Sequence, residues 1–183
     1  MGNRDAATDT VGRGAGEVAR PVRGACHIYF HDLRHHAIPT TMTDPTAPDC
    51  PLCREDGGDV LFRDDRLRVI HVADADHPGF LRVIWTAHVR EMTDLVPLDR
   101  SHCMRTVMVV ESALRDVLRP DKINLASFGN MMPHVHWHVI PRFADDPHFP
   151  NAVWGPRVRD GARTLPADFR AAITARLVAA LAR

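Results

Sequence analysis

The stretch that decides the fold is NMMPHVHWHVIPR, residues 130–142, in which three histidines alternate with apolar residues. Because successive side chains of a β-strand point to opposite faces, this alternation predicts a strand with His134, His136 and His138 on one face. At about 3.3 Å per residue, the outer two histidines have Cα atoms about 13 Å apart. Zinc–nitrogen bonds are only about 2 Å long. We therefore expect the three histidines to have different roles instead of binding one metal ion together.

The composition describes one domain without an overall charge. The 183 residues are 45% hydrophobic, which fits a single domain with a core and an additional tail. With 23 basic and 23 acidic residues the formal net charge is zero, so we expect neither nucleic acid nor a membrane as a partner, and a small anionic substrate would need a local site. No apolar run is long enough to cross a bilayer and no signal peptide is evident, so a cytoplasmic location is expected.

The chain divides into three parts by composition. Residues 1–46 have little apolar periodicity and much Gly, Arg, Asp and Thr, so we predict a disordered N-terminal extension. A start codon assigned too far upstream would explain the same composition. Residues 47–145 are the predicted domain. Residues 146–183 are a C-terminal segment and helix, expected to pack on the domain or on a dimer partner.

Five short segments have the composition of strands. DVLFRDDRLRVIHV, residues 59–72, predicts two strands around a turn at Asp64 and Asp65. GFLRVIWTA, KINLASF and HVHWHVIPR predict three further strands. Apolar positions such as Leu67, Val69 and Ile70 either line a binding pocket or belong to the ordinary core.

Two segments have the spacing of helices. LDRSHCMRTVMVVESALRDVLRP, residues 98–120, predicts a long helix that Asp99 or Ser101 caps and Pro120 ends. LPADFRAAITARLVAAL, residues 165–181, predicts a C-terminal helix. With the strands, this gives an α+β fold: an antiparallel sheet covered by one long helix and a C-terminal helix.

The pair Cys50 and Cys53, in the sequence CPLC, is compatible with a metal site, a redox pair or chance. No thioredoxin-like βαβ pattern follows, and four cysteines in a reducing compartment are expected to be thiols or metal ligands. His88 and His134 could complete a closed tetrahedral zinc site. The spacing alone nevertheless favours His88 as a surface histidine at a strand end.

The segment HVHWHVIPR resembles the His-x-His-x-His signature of the histidine triad (HIT) superfamily. VIWTAHVREMTDL and KINLASFGNMMP resemble the strands and loop that surround this signature, and the CxxC pair resembles the zinc-binding branch that includes many bacterial members. The resemblance covers about residues 48–143. It implies a HIT-like fold and a protein that binds nucleotides as a homodimer.

The resemblance also implies a chemistry, the cleavage of nucleoside 5′-phosphate derivatives at the α-phosphorus. His136 is the implied nucleophile, which forms a nucleotidyl-histidine that water hydrolyses, and His138 is implied to contact the phosphate. Neutral imidazole suits both steps because it attacks and leaves readily near pH 7. The metal-binding branch implies a structural zinc ion bound by four residues: Cys50, Cys53, His88 and His134.

The remaining substrate contacts implied by the resemblance lie on a strand and a loop. Asn124 matches an asparagine near the reacting phosphate, and the loop 127–133, with Asn130 and Met132, is expected to offer backbone N–H groups to phosphate oxygens. Asn130 stands where the family usually has Gln. Met131 stands where many members have a Ser or Thr that helps protonate the leaving group. A polyphosphate leaving group therefore fits this chain better than a basic amine.

Three functions remain open on the sequence. The first is a nucleotidyl hydrolase for dinucleoside polyphosphates or other adenylylated compounds. The second is a nucleotide-binding or interaction module with weak catalysis, suggested by the changes at positions 130 and 131. The third is a zinc enzyme that activates water. Trp154 either packs on its own domain or contacts the substrate or a dimer partner.

Overall fold

The computed structural model describes residues 49–161 and 163–182, so the predicted N-terminal extension lies outside the described residues. Within the described part of the chain, five strands form one antiparallel sheet in the order β1-β2-β3-β5-β4. The strands are β1 Asp59–Arg63, β2 Leu67–His71, β3 Leu81–Trp85, β4 Lys122–Ala126 and β5 His136–Arg142. The helices are α1 Pro51–Arg54, α2 Pro97–Leu118 and α3 Phe169–Leu181, with a 3-10 turn at Met92–Asp94. The predicted α+β architecture is confirmed.

Strand β5 begins two residues later than the sequence predicted. Val135 donates its N–H to the carbonyl of Val89 at 2.7 Å and accepts from the N–H of Trp85 at 3.1 Å. Val135 therefore lies beside Trp85 at the end of β3, in register with the pairing of His136 and Ile84. The predicted alternation extends to these residues, because Val135 packs in the helix-side core while His134 points away from it.

The predicted side-chain cap of the long helix was wrong. Helix α2 begins at Pro97 with Val96 at the N-cap position and no capping side chain. Proline at the first helical position has no N–H to satisfy, which lessens the need for a cap. Ser101 instead donates to the carbonyl of Pro97, and Asp99 pairs with Arg66 at 3.1 Å. The helix ends at Leu118, and Arg119 at the C-cap position is left-handed (φ 48°), so the helix stops before Pro120 as predicted.

The two faces of the sheet have different partners. The helix-side face packs on α2 and α3 through fully buried residues such as Leu67, Val69 and Leu114, each of which contributes about 1.5–3 kcal/mol. Ile70 lies in a smaller cluster with Cys50 and Leu52. The three apolar β2 positions are thus ordinary core. Among the residues described, no helix is long and apolar enough to cross a membrane.

The opposite face of the sheet carries the polar residues that matter for function. It holds two histidines and one arginine of β5 and one arginine each of β2 and β3, and the register between β3 and β5 places Arg82 opposite His138. These residues are Arg68, Arg82, His136, His138 and Arg142. Helices α2 and α3 leave this face free, and the short helix α1 covers only the part beside Ile70 and Ile84. A ligand can therefore reach the rest of this face.

Candidate active site and metal centre

A cleft of about 270 Å³ opens over the middle of this face. Cross-strand pairing sets its floor, because His138 of β5 lies opposite Arg82 of β3 and Ala126 of β4. The cleft is lined by Arg82, Phe128, Asn130, Met131, Met132, His136, His138 and Trp154. The structure therefore brings together four residues predicted from the sequence, namely Asn130, Met132, His136 and His138.

His136 is held in one tautomer by its own strand. Its Nδ1 lies 2.6 Å from the carbonyl oxygen of His134, so Nδ1 carries the proton and donates it. The Nε2 atom is then left with a free lone pair. Burial, assisted by the charge of Arg82, lowers the pKa of His136, although the bond to His134 opposes this change. His136 is thus a neutral imidazole with a free nitrogen in the cleft.

His138 lies beside His136, with the two ring centroids 5.0 Å apart. Within the described residues neither of its ring nitrogens has a hydrogen-bond partner, although both are buried. Burial first, and then the charges of Arg82 and His136, lower the pKa of His138 to about 4. A buried imidazole without a protein partner has nitrogens available to a ligand.

The loop between β4 and β5 forms one wall of the cleft. Ser127 donates to the carbonyl of His136 at 2.9 Å, and the N–H of His134 donates to the carbonyl of Met132 at 2.8 Å. These bonds hold the two ends of the loop. Met131 at its tip is 95% exposed, and its thioether has no proton to donate.

Asn124 lies outside this cleft, in an adjoining cavity of about 620 Å³. Its Oδ1 accepts a hydrogen bond from Arg142 at 2.7 Å. The two cavities share one wall residue, Trp154. Asn124 and His138 are on the same sheet face, so the structure places the asparagine near the histidines but directs its amide towards Arg142.

Trp154 and Phe128 form an aromatic rim above His138. The Trp154 ring meets Phe128 edge-to-face at 4.7 Å and lies 5.8 Å from the His138 ring. Trp154 remains 61% exposed, so it is not simply packed into its own domain. A flat substrate group could stack here, since exposed aromatic pairs bind flat rings well.

The segment that carries Trp154 is fixed by a buried ion pair between Arg142 and Asp146. Nε of Arg142 donates to Oδ2 of Asp146 at 2.7 Å, and the two side chains are 3% and 6% exposed. The Asp146 carboxylate also accepts the backbone N–H groups of Phe143, His148 and Phe149. His77 lies beside this cluster and stacks on His148, but the Asp146 oxygens are fully used by N–H donors, so the cluster is a structural corner.

We expect Asp146→Asn to destabilise the protein by about 3 kcal/mol, because the change leaves the buried Arg142 cation without its partner. Urea unfolding of Asp145→Asn is the matched control, since Asp145 pairs with Arg163 at an exposed position and should contribute little. Equal losses in the two variants would contradict this role for the buried pair.

The same pair predicts an acid dependence of stability. Burial alone would raise the pKa of Asp146, but Arg142 and the backbone N–H groups outweigh it and lower that pKa. A carboxylate whose pKa is lowered in the folded state stabilises the protein at pH values above the ordinary aspartate pKa of about 3.9. That contribution is lost as the pH falls below this value. Urea unfolding between about pH 5 and 3 should therefore show a smaller acid loss in Asp146→Asn than in the unmodified protein.

Four residues form a second cluster at the end of β3. Sγ of Cys53 lies 3.3 Å from Nδ1 of His88 and 3.4 Å from Nδ1 of His134, and Sγ of Cys50 lies 3.5 Å from the latter atom. Tetrahedral zinc, with bonds of about 2.3 Å to sulfur and 2.0–2.1 Å to nitrogen, separates such ligands by about 3.5 Å. The donor types and their spacing therefore fit one tetrahedral ion.

The surrounding residues orient these ligands. Nε2 of His134 lies 2.6 Å from the carbonyl oxygen of Trp85, so that nitrogen carries the proton and Nδ1 faces the thiols with a lone pair. Arg68 donates to the carbonyls of Leu52, Glu55 and Asp56, which anchors the short helix α1 that contains Cys53 and follows Cys50. Sequence reasoning missed this arginine, because its three acceptors are backbone atoms.

Comparison with known proteins agrees with this geometry. The HIT domain family model matches residues 54–145, about half of the chain. The chain belongs to the histidine triad (HIT) family. The resemblance read from HVHWHVIPR is therefore confirmed.

Individual relatives of this HIT protein are distant. An AP-4-A phosphorylase from Mycobacterium tuberculosis is 25% identical over 144 residues, which cover 72% of this chain and 74% of the relative. A histidine triad protein from Sinorhizobium meliloti is 26% identical with a TM-score of 0.55, over 69% of this chain and 91% of that one. A zinc-bound histidine triad protein from Mycobacterium smegmatis has a TM-score of 0.52 at 21% identity, over 72% and 94% of the two chains, and shares the fold.

Proposed function

We propose that this HIT protein is a nucleotidyl hydrolase that cleaves dinucleoside polyphosphates or related adenylylated compounds at the α-phosphorus. The observation that carries the proposal is the state of His136. Its Nδ1–H is committed to the His134 carbonyl, while its Nε2 has a free lone pair inside a cleft. A neutral, oriented imidazole is what nucleophilic attack on phosphorus requires.

The reaction has two steps. Nε2 of His136 attacks the α-phosphorus, and the bond from phosphorus to the bridging oxygen breaks, so that the nucleoside polyphosphate departs with the electron pair. Water then attacks the same phosphorus, the phosphorus–nitrogen bond breaks, and a nucleoside monophosphate leaves with His136 restored. The unpartnered nitrogens of His138 are placed to hydrogen-bond phosphate oxygens during both steps. The bond to the His134 carbonyl stabilises His136 while it carries the nucleotidyl group.

The residue at position 131 of the loop indicates which kind of leaving group the protein favours. Met131 cannot donate a proton, so a leaving group that needs protonation gains no help from this position. A polyphosphate departs as an anion and needs less help. The distant relative named AP-4-A phosphorylase is consistent with such a substrate and raises the alternative that phosphate replaces water as the acceptor.

We further propose that the ion bound by Cys50, Cys53, His88 and His134 is zinc with a structural role. Two thiolates and two imidazoles are a typical structural zinc set. Such an ion would tie the cysteine segment to the end of β3. His134 belongs to this set and His136 to the cleft, so the two histidines divide metal binding and chemistry between them. The third function considered above, a zinc enzyme, is disfavoured because four protein ligands leave no open position for water.

The second candidate function is a nucleotide-binding module with weak catalysis. It is favoured by the exposed thioether of Met131 and by the amide of Asn124, which is bonded to Arg142 instead of pointing into the cleft. Both features remove polar contacts that a reacting phosphate would use. Measured turnover separates the two functions.

The test is the hydrolysis of diadenosine tetraphosphate in water enriched in oxygen-18, with and without added phosphate. Cleavage by water at the α-phosphorus puts the heavy oxygen in AMP, which is the expected result. Heavy oxygen in ATP would show attack at the β-phosphorus and contradict the proposal. Formation of ADP only when phosphate is present would assign phosphorolysis. Nucleotide binding without turnover would favour the binding module.

A further inference from the structure

Arg82 lies on the floor of the cleft, where no sequence motif singled it out. It is the cross-strand partner of His138, and its side chain lines the cleft together with His136 and His138. It is the only Lys or Arg among the described residues that line this cleft. Its position follows from the register between β3 and β5.

The bonding of Arg82 differs from that of the other two arginines on this sheet face. Arg68 donates to three backbone carbonyls, and Arg142 is bonded to Asp146, Asn124 and the carbonyl of Asn151. Among the described residues Arg82 has neither a salt bridge nor a hydrogen bond, and its Nε is buried without a partner. Its guanidinium carbon lies 5.2 Å from the centre of the Phe80 ring, which holds it in place but accepts no N–H.

Arg82 is half-buried, and its buried Nε–H has no partner, which costs free energy that a hydrogen-bonding anion can recover. The arginine fork presents several N–H groups in one plane and binds two oxygens of a phosphate together. His138 cannot supply positive charge near neutral pH, because burial and Arg82 keep its pKa at about 4. The positive charge in the cleft therefore comes from Arg82.

We propose that Arg82 is the phosphate-binding residue of this cleft, and that its guanidinium donates to non-bridging oxygens of the phosphoryl group that lies against His136. The ligand class is a phosphate mono- or diester of a nucleoside. This inference rests on the proposed function in that it places the phosphoryl group beside His136. It also adds a source of charge stabilisation for the transferred group that the loop at Asn130 and Met131 does not provide.

Calorimetric titration with AMP and with adenosine tests the proposal on the full chain. We expect Arg82→Met to weaken AMP binding by about 10- to 100-fold, as the loss of charge-assisted hydrogen bonds does, and adenosine binding by no more than about twofold. Arg82→Lys should restore part of the AMP affinity, because it keeps the charge but loses the fork. Arg66→Met is the matched control, since Arg66 pairs with Asp99 away from the cleft and should leave both affinities unchanged.

Two results would overturn the proposal: unchanged AMP affinity in Arg82→Met, or an equal loss for AMP and adenosine, which would indicate altered packing. The protein could release no AMP from any substrate while AMP binding still depends on Arg82 as expected. That result would contradict the proposed hydrolysis but support the phosphate-binding role of Arg82. If the unmodified protein binds neither nucleotide, phosphorus NMR with inorganic phosphate decides. Broadening of the phosphate signal by the unmodified protein, but not by Arg82→Met, would support the phosphate site. No broadening by the unmodified protein would reject it.

Discussion

Replacement of His136 by Asn is expected to lower kcat for diadenosine tetraphosphate by at least about 10³-fold, as the loss of a covalent nucleophile does. The Asn amide reaches the place of Nδ1 and can still donate to the His134 carbonyl. The substitution therefore removes the Nε2 lone pair while it preserves the local hydrogen bond. The measurement is steady-state release of AMP, with KM determined separately so that binding and chemistry are distinguished.

His102→Asn is the matched control for this variant. His102 bonds to Asp64 at 2.8 Å on the helix side of the molecule and lines no part of the cleft. It should keep kcat within about twofold of the unmodified protein, as substitutions away from a reacting centre usually do. If His136→Asn turned over at a rate similar to this control, His136 would not be the nucleophile.

Removal of zinc is expected to lower the thermal midpoint by about 8–16 °C or more. An ion that binds only the folded state stabilises it by about 4 kcal/mol when its free concentration is 1,000 times Kd. For a chain of this size each kcal/mol corresponds to about 2–4 °C. The loss arises because the cluster joins the segment of Cys50 and Cys53 to His88 and His134, more than thirty residues away in sequence. Thermal unfolding with and without a zinc chelator is the measurement.

The double variant Cys50→Ser, Cys53→Ser is the control for chelation. Without chelator, this variant should already unfold at the lowered thermal midpoint. The chelator should not lower that midpoint further, because the substitutions and the chelator remove the same interaction. Elemental analysis should find zinc in the unmodified protein and not in this variant. A midpoint that the chelator does not change, in a protein without bound metal, would contradict the zinc proposal. Retained turnover after chelation of still-folded protein would confirm that the ion is structural.

The elements that local pattern governs could be predicted from the sequence. The alternation through His134 to Val139 predicted β5, and the helical spacing of residues 98–120 predicted α2. The helix start was missed because Pro97 replaced a capping side chain. Strand alternation and helical spacing depend only on residues close together in the chain, so a single sequence is enough to reveal them.

The arrangement of the site depends on which strands pair and in which register, and local sequence pattern does not predict this. The four residues of the metal cluster were candidates from their types alone, but only the family resemblance favoured them over a surface His88, since Cys50 and His134 are 84 positions apart. Arg82 was missed because only the register of β3 against β5 places it opposite His138. Asn124 was named by its motif, but its bond to Arg142 depends on a corner formed much later in the chain.

The most direct measurement is the mass of the intact protein after rapid quenching with diadenosine tetraphosphate, at times shorter than one turnover and without acid. We expect one added adenylyl group in the unmodified protein and none in His136→Asn. Fragmentation of the tryptic peptide 123–142, which contains all three histidines of the opening stretch, should assign the group to His136. An adduct on another residue, or AMP release without any adduct at these times, would contradict a covalent route through His136.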